Sequence, residues 1–100
     1  MKLIALMCLE NCSKQVRKLF EQYEVKIFSE MDIRGYAPDN AVKYGWWPSD
    51  RDLPMYSSLC FAIVSVEKAT QIMDGVEAIV KQDETGHPVK AFVLDIERMI

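Results

Sequence analysis

Three cysteines, one histidine and six methionines are the soft donor groups of this 100-residue chain. Thiolate, thioether and imidazole select copper or zinc. Cys8, Cys12 and His87 make one candidate ligand set. The Cys-x-x-x-Cys spacing matches no known metal knuckle, and Cys8 and Cys60 sit in apolar runs, where a buried structural thiol is the usual outcome. His87 stands in a turn before Pro88; an unperturbed imidazole has its pKa near neutrality, suited to sensing pH or acting as a base, but no nucleophile or acid partner is evident and a surface histidine is the simpler reading. Trp46 and Trp47, between Gly45 and Pro48, offer the surface that anchors a partner protein or stacks on a base. Packing against the chain's own sheet is the alternative. Tyr44 belongs to the same aromatic stretch. Ser49-Asp50-Arg51-Asp52 reads most simply as a solvated turn, in which Arg51 is the group able to grip an anion. No serine–histidine–acid set, Gly-rich phosphate loop or metalloprotease motif is present, so the residues point away from an enzyme.

Composition narrows the classes further. Half the residues are hydrophobic, 27% are charged, and the net charge is -3. A nucleic-acid groove needs a surplus of Lys and Arg, which this chain lacks. No apolar run approaches the roughly 18–20 residues that span a bilayer. The apolar run Leu3 to Leu9 is short for a signal peptide and is followed by no small-residue cleavage site; it reads as a first strand. Three cysteines without close pairing do not resemble a secreted disulfide framework, so the cytoplasm is the expected compartment. One hundred residues make one domain, spanning 1–100.

Periodicity supplies the elements that must hold these groups. Lys2 to Leu9 is apolar on both strand faces, which predicts a strand buried on both sides. Asn11 or Ser13 is the expected N-cap of a first helix. Its apolar stripe is Val16, Leu19, Phe20 and Tyr23. From Val25 to Arg34 the period becomes two, with Val25, Ile27, Ser29, Met31 and Ile33 on one face. This predicts a strand with one polar face, ended by Gly35. Residues 36–57 show no period, are broken by Pro38, Gly45, Pro48 and Pro54, and hold five aromatics. Leu59 to Val64 is again apolar on both faces. Ser65 can cap a second helix with the stripe Ala69, Ile72, Met73, Val76 and Val80. Gly75 within it points to close packing. A polar turn on Thr85-Gly86 precedes a last strand, Val89 to Ile96.

The order β-α-β, loop, β-α-β gives an α+β, ferredoxin-like βαββαβ sandwich: a four-stranded antiparallel sheet with two helices on one face. Strands one and three are central in that fold, and they are the two that read apolar on both faces. The face without helices would then expose an apolar patch of several hundred Å², rare on monomers. An oligomer with packed sheets is expected; the pattern does not choose between dimer and trimer.

Ser29-Glu30-Met31-Asp32-Ile33-Arg34-Gly35 resembles the Thr-x-x-Glu-Val-Lys/Arg-Gly stretch of the P-II signal-transduction proteins, after which that family carries its long T-loop. Lys90-Ala91-Phe92-Val93-Leu94-Asp95-Ile96 is similar to the family's Gly-Lys-Ile-Phe-Val-Phe-Asp-Val strand. The similarity covers most of the chain and makes segment 36–57 the counterpart of the T-loop. It implies a non-enzymatic homotrimer with an adenine nucleotide in each intersubunit cleft. It also implies a target protein, often a membrane transporter or metabolic enzyme, engaged through the loop. By position it assigns ligand contact to Ser29, Gly35, Thr85, Gly86 and Lys90, with Lys90 as the phosphate-binding lysine and a solvated strand lysine as the alternative.

Departures from the pattern imply a divergent, P-II-like member. Ala37-Pro38-Asp39 replaces the family's phosphate-holding Gly-Arg-Gln with an acid that repels phosphate, and His87-Pro88-Val89 replaces its Gly-Asp-Gly, so backbone amides that cradle phosphates are partly lost. The Tyr-Arg-Gly-Ala-Glu-Tyr segment is missing, and nothing before Ile100 matches the family's basic C-terminal tail. The alternative function is a metal-binding accessory protein of heavy-metal tolerance or efflux, because some P-II-like proteins and the similarly folded CutA proteins are linked to metal handling.

Overall fold

The computed structural model describes residues 1–9, 12–34, 56–84 and 88–100. Among these residues six elements follow in order: β1 (Lys2–Cys8), α1 (Ser13–Gln22), β2 (Ser29–Asp32), β3 (Ser58–Val64), α2 (Val66–Lys81) and β4 (Lys90–Asp95). The strands form one sheet in the order β2-β3-β1-β4, and every neighbouring pair is antiparallel. This is the expected α+β, ferredoxin-like arrangement, with β1 and β3 in the centre.

Side-chain alternation builds the core between sheet and helices. Ile4, Leu6 and Cys8 of β1 and Cys60, Ala62 and Val64 of β3 bury one face of the sheet. Val16, Leu19 and Phe20 of α1 and Ala69, Ile72 and Val76 of α2 close over it. Ser65 caps α2 as its sequence promised: its hydroxyl accepts from the Lys68 amide at 3.1 Å. The α2 stripe runs through partly buried Ile79 rather than Val80, which is exposed.

Two local expectations are corrected. The N-cap of α1 is Cys12, and Ser13 is already its first helical residue. The Cys12 amide donates to the Leu9 carbonyl at 2.9 Å, which ties the start of the helix to the residue after β1. The second strand starts at Ser29, not Val25. Glu24 takes a left-handed φ of 57°, and the Val25 amide then bonds to the Phe20 carbonyl at 2.8 Å. Val25 is therefore buried against the helix end, whereas Ile27 is 86% exposed, so the two do not share a face as their spacing implied. Phe28 is drawn to Phe20 with ring centroids 5.0 Å apart. Tertiary contacts with α1 thus override a local strand pattern.

Candidate functional site

Three hydrogen bonds knit one end of the sheet. The Ile33 amide donates to the Ser57 carbonyl at 2.9 Å, and the Ser57 amide donates to the Cys8 carbonyl at 3.1 Å. The Tyr56 hydroxyl donates to the Pro88 carbonyl at 3.0 Å. The segment leaving β2 and the segment entering β3 are thereby fixed side by side. Tyr56 reaches from the start of β3, past the end of β1, to the residues that lead into β4. It is 1% exposed, so the ring belongs to the folded body. By periodicity Tyr56 falls in the irregular stretch 36–57. The signal that could have found it is alternation: Tyr56, Ser58, Cys60, Ala62 and Val64 are all buried at a spacing of two.

Strand register fixes what lies on the face without helices. Across β2, β3, β1 and β4, one row is Met31, Leu59, Met7 and Lys90; the next is Ser29, Phe61, Ala5 and Phe92. Ile63, Leu3 and Leu94 continue it. β1 was expected to be buried on both sides; within this chain one side is buried and the other half-open. Met31, Ile63, Phe92 and Leu94 are exposed on that face. The apolar patch foreseen from the pattern is therefore present.

Ser29 and Lys90 both lie on this open face, but on opposite edge strands. With strands about 4.8 Å apart and residues about 3.3 Å apart along them, three strand spacings and a two-residue offset put them about 16 Å from each other. One chain does not bring the two together around a small ligand. Beside Ser29, the side chains of Ile27, Phe61, Ile63 and Met99 help to line a hollow of ≈ 310 Å³. A second hollow of ≈ 300 Å³ lies between Asp32, Ile33, Arg34 and Ser57. Gly35, Tyr44, Trp46, Trp47, Arg51, Thr85, Gly86 and His87 lie outside the described residues.

The cysteines gather on the helix side. Register sets Leu6 opposite Cys60 and Cys8 opposite Ser58, so Cys8 and Cys60 are diagonal neighbours on the buried face. All three thiols are free of disulfides. Burial pushes the Cys8 thiol up to about 12, helped by the nearby Cys60 and Cys12. Burial and then the Glu30 carboxylate raise Cys60 to about 11. Cys12 and Tyr56 are raised as well, each by burial first and by Asp83 second. Among the described residues no group of three or more His, Cys, Asp or Glu side chains could hold a metal ion.

Solved structures share this architecture. A protein of Thermus thermophilus described as a PII-like signalling protein superposes with a TM-score of 0.63 at 16% identity, over 93% of this chain and 82% of its own. The likeness is one of fold. CPII, a nitrogen regulatory PII-like protein of Thiomonas intermedia K12 bound to ADP, AMP and bicarbonate, gives 0.61 at 14% identity over 99% of this chain and 94% of its own. The apo form of CPII gives 0.66 at 15% identity, over 95% of this chain and 87% of its own. No protein-family model matches the chain, and no curated protein matches it. Among the described residues no helix is long and apolar enough to cross a membrane.

Proposed function

We propose that this chain is a non-enzymatic, PII-like regulatory protein that works in the cytoplasm as a homotrimer. It binds a small anionic effector, an adenine nucleotide or a similar anion, in clefts between subunits. Through segment 36–57, with Tyr44, Trp46, Trp47 and Arg51 as contacts, it controls a target transporter or enzyme. The effector site joins Ser29 and Gly35 to Thr85, Gly86 and Lys90.

The observation that supports this reading best is the placement of Ser29 and Lys90 on opposite edges of one apolar, helix-free face. If such faces pack together, the β2 edge of one copy can meet the β4 edge of the next. The hydroxyl and the ammonium then border a shared cleft. The hollow beside Ser29 is largely apolar, which suits a heterocyclic base, and Lys90 suits a phosphate or carboxylate. An effector switches the loop only if it binds one loop state more tightly than the other. The PII-like protein bound to ADP, AMP and bicarbonate makes those three the first ligands to try.

Calorimetric titration of the full chain with ADP, AMP, ATP, cyclic AMP and bicarbonate tests the reading, alongside Lys90→Ala. Heat with at least one ligand, and an affinity lowered on the order of tenfold or more in the variant, is expected for a lost charge-assisted contact. A folded trimer that gives no heat with any of them overturns it.

A further inference from the structure

Ile33, where the chain leaves β2, Tyr56 and Ser57, where it enters β3, and Pro88, where it enters β4, are bonded together at one end of the sheet. We propose that the Tyr56 hydroxyl couples them, so that displacement of the Pro88 carbonyl is felt at the root of the 35–55 connection. The path is short. The Tyr56 hydroxyl holds the Pro88 carbonyl at 3.0 Å. Ser57, the next residue, donates its amide to Cys8 and accepts from the Ile33 amide with its carbonyl. Pro88, Tyr56, Ser57 and Ile33 are thus joined by two hydrogen bonds and one peptide link.

Burial gives the coupling its strength. Tyr56 is 1% exposed, so water does not readily replace an acceptor that withdraws. Pro88 fixes φ, which removes one of the two backbone rotations by which the chain there could shift. Moving Pro88 therefore either drags the Tyr56 ring or breaks its bond. The ring is attached one residue from the Ile33–Ser57 and Ser57–Cys8 bonds. Where the effector reading above holds, Lys90, two residues beyond Pro88, is where a ligand would enter this path; the coupling itself does not require that reading.

The test is a double-mutant cycle read by amide hydrogen exchange in the full chain. Wild type, Tyr56→Phe, Pro88→Gly and the double variant are compared at the Ile33 and Ser57 amides, with Leu6 and Ile72 as reporters of global opening. Pro88→Gly keeps the acceptor carbonyl but frees its φ, so it loosens the bond to Tyr56 and is expected to speed exchange at Ile33 and Ser57 by up to about tenfold, the effect of a buried hydrogen bond lost by local opening. On top of Tyr56→Phe it should add less than about twofold, because the shared bond is already gone. Equal effects of Pro88→Gly with and without Tyr56→Phe, or none in either case, overturn the coupling. If Pro88→Gly also speeds Leu6 and Ile72, Pro88→Ala takes its place in the cycle. A further arm adds ADP to the wild type. Absence of ADP heat with an intact cycle removes nucleotide as the trigger and leaves the coupling standing; ADP heat with an additive cycle does the reverse.

Discussion

Gly75 of α2 lies against Leu19 of α1 so closely that a Cβ added there would stand 2.7 Å from Leu19 Cδ1. Tyr23 would be met at 3.0 Å by its Cε2. The helices cross at this point, and the Lys68 ammonium reinforces the crossing by donating to the Tyr23 carbonyl at 2.6 Å. Gly75→Ala gains about 1 kcal/mol of helix propensity. It also overpacks the crossing at a typical cost of roughly 1–3 kcal/mol. A net loss of about 1 kcal/mol is expected, visible as a midpoint about 5 °C lower in thermal unfolding. A rise in the midpoint would mean that the crossing yields freely.

The Arg17–Glu30 pair ties α1 to the edge strand β2. The guanidinium donates twice to one carboxylate oxygen, from Nε at 3.1 Å and from an Nη at 2.8 Å. The Arg17 side chain is 50% exposed, so water and salt screen the pair. Arg17→Ala should cost no more than about 1 kcal/mol. The cost should shrink further in about 1 M salt, where the Debye length is near 3 Å. Denaturant melts at low and high salt would show this; an undiminished penalty at high salt would point to packing of the arginine stem instead.

Much of the scaffold was legible because its signals were local or redundant. β1 and β3 stood out as doubly apolar runs, Ser65 as a cap, and Gly75 as a close approach. The start of β2 was not legible, because Val25 and Phe28 are claimed by Phe20, a contact that period-two alternation does not encode. Tyr56 was hidden by its aperiodic neighbours, although it continues the buried face of β3. Ser29 and Lys90 could be named by resemblance. That they stand on opposite edges follows from strand order, a long-range property. The remaining proposed contacts fall in 35–55 and 85–87, outside the described residues.

The thiols predict an alkaline limb in the stability curve. Folding raises Cys8 from 9.0 to about 12 and Cys60 from 9.0 to about 11. Between those values the unfolded chain has lost protons that the folded chain keeps. The folded state then binds more protons, so stability falls as pH rises. The contribution is complete below about pH 9 and is lost as pH passes through about 11 to 12. Cys60→Ala should flatten this limb in urea melts taken from pH 8 upward, whatever its cost near neutrality. Thiol reagents at pH 8 should reach the partly exposed Cys12 first and the buried Cys8 and Cys60 only on unfolding. Rapid labelling of Cys8 in the native protein would contradict the burial.

The open face makes the assembly testable at one residue. Phe61 sits on β3 between Ser29 and Ala5, near the middle of the apolar face and pointing away from both helices. If a second and third copy cover that face, its ring is buried between subunits; if none does, it is merely half-exposed. Phe61→Glu leaves the core between sheet and helices untouched. A carboxylate forced into an apolar interface without a partner is strongly disfavoured, whereas the same carboxylate in water is not. Sedimentation velocity should therefore find wild type as a trimer and Phe61→Glu as a folded monomer with unchanged helix content. Effector heat should vanish with the trimer, because Ser29 and Lys90 are too far apart within one chain to share a small ligand. A monomeric variant that still bound its effector at wild-type strength would place the site within one subunit and remove the cleft between copies as its location.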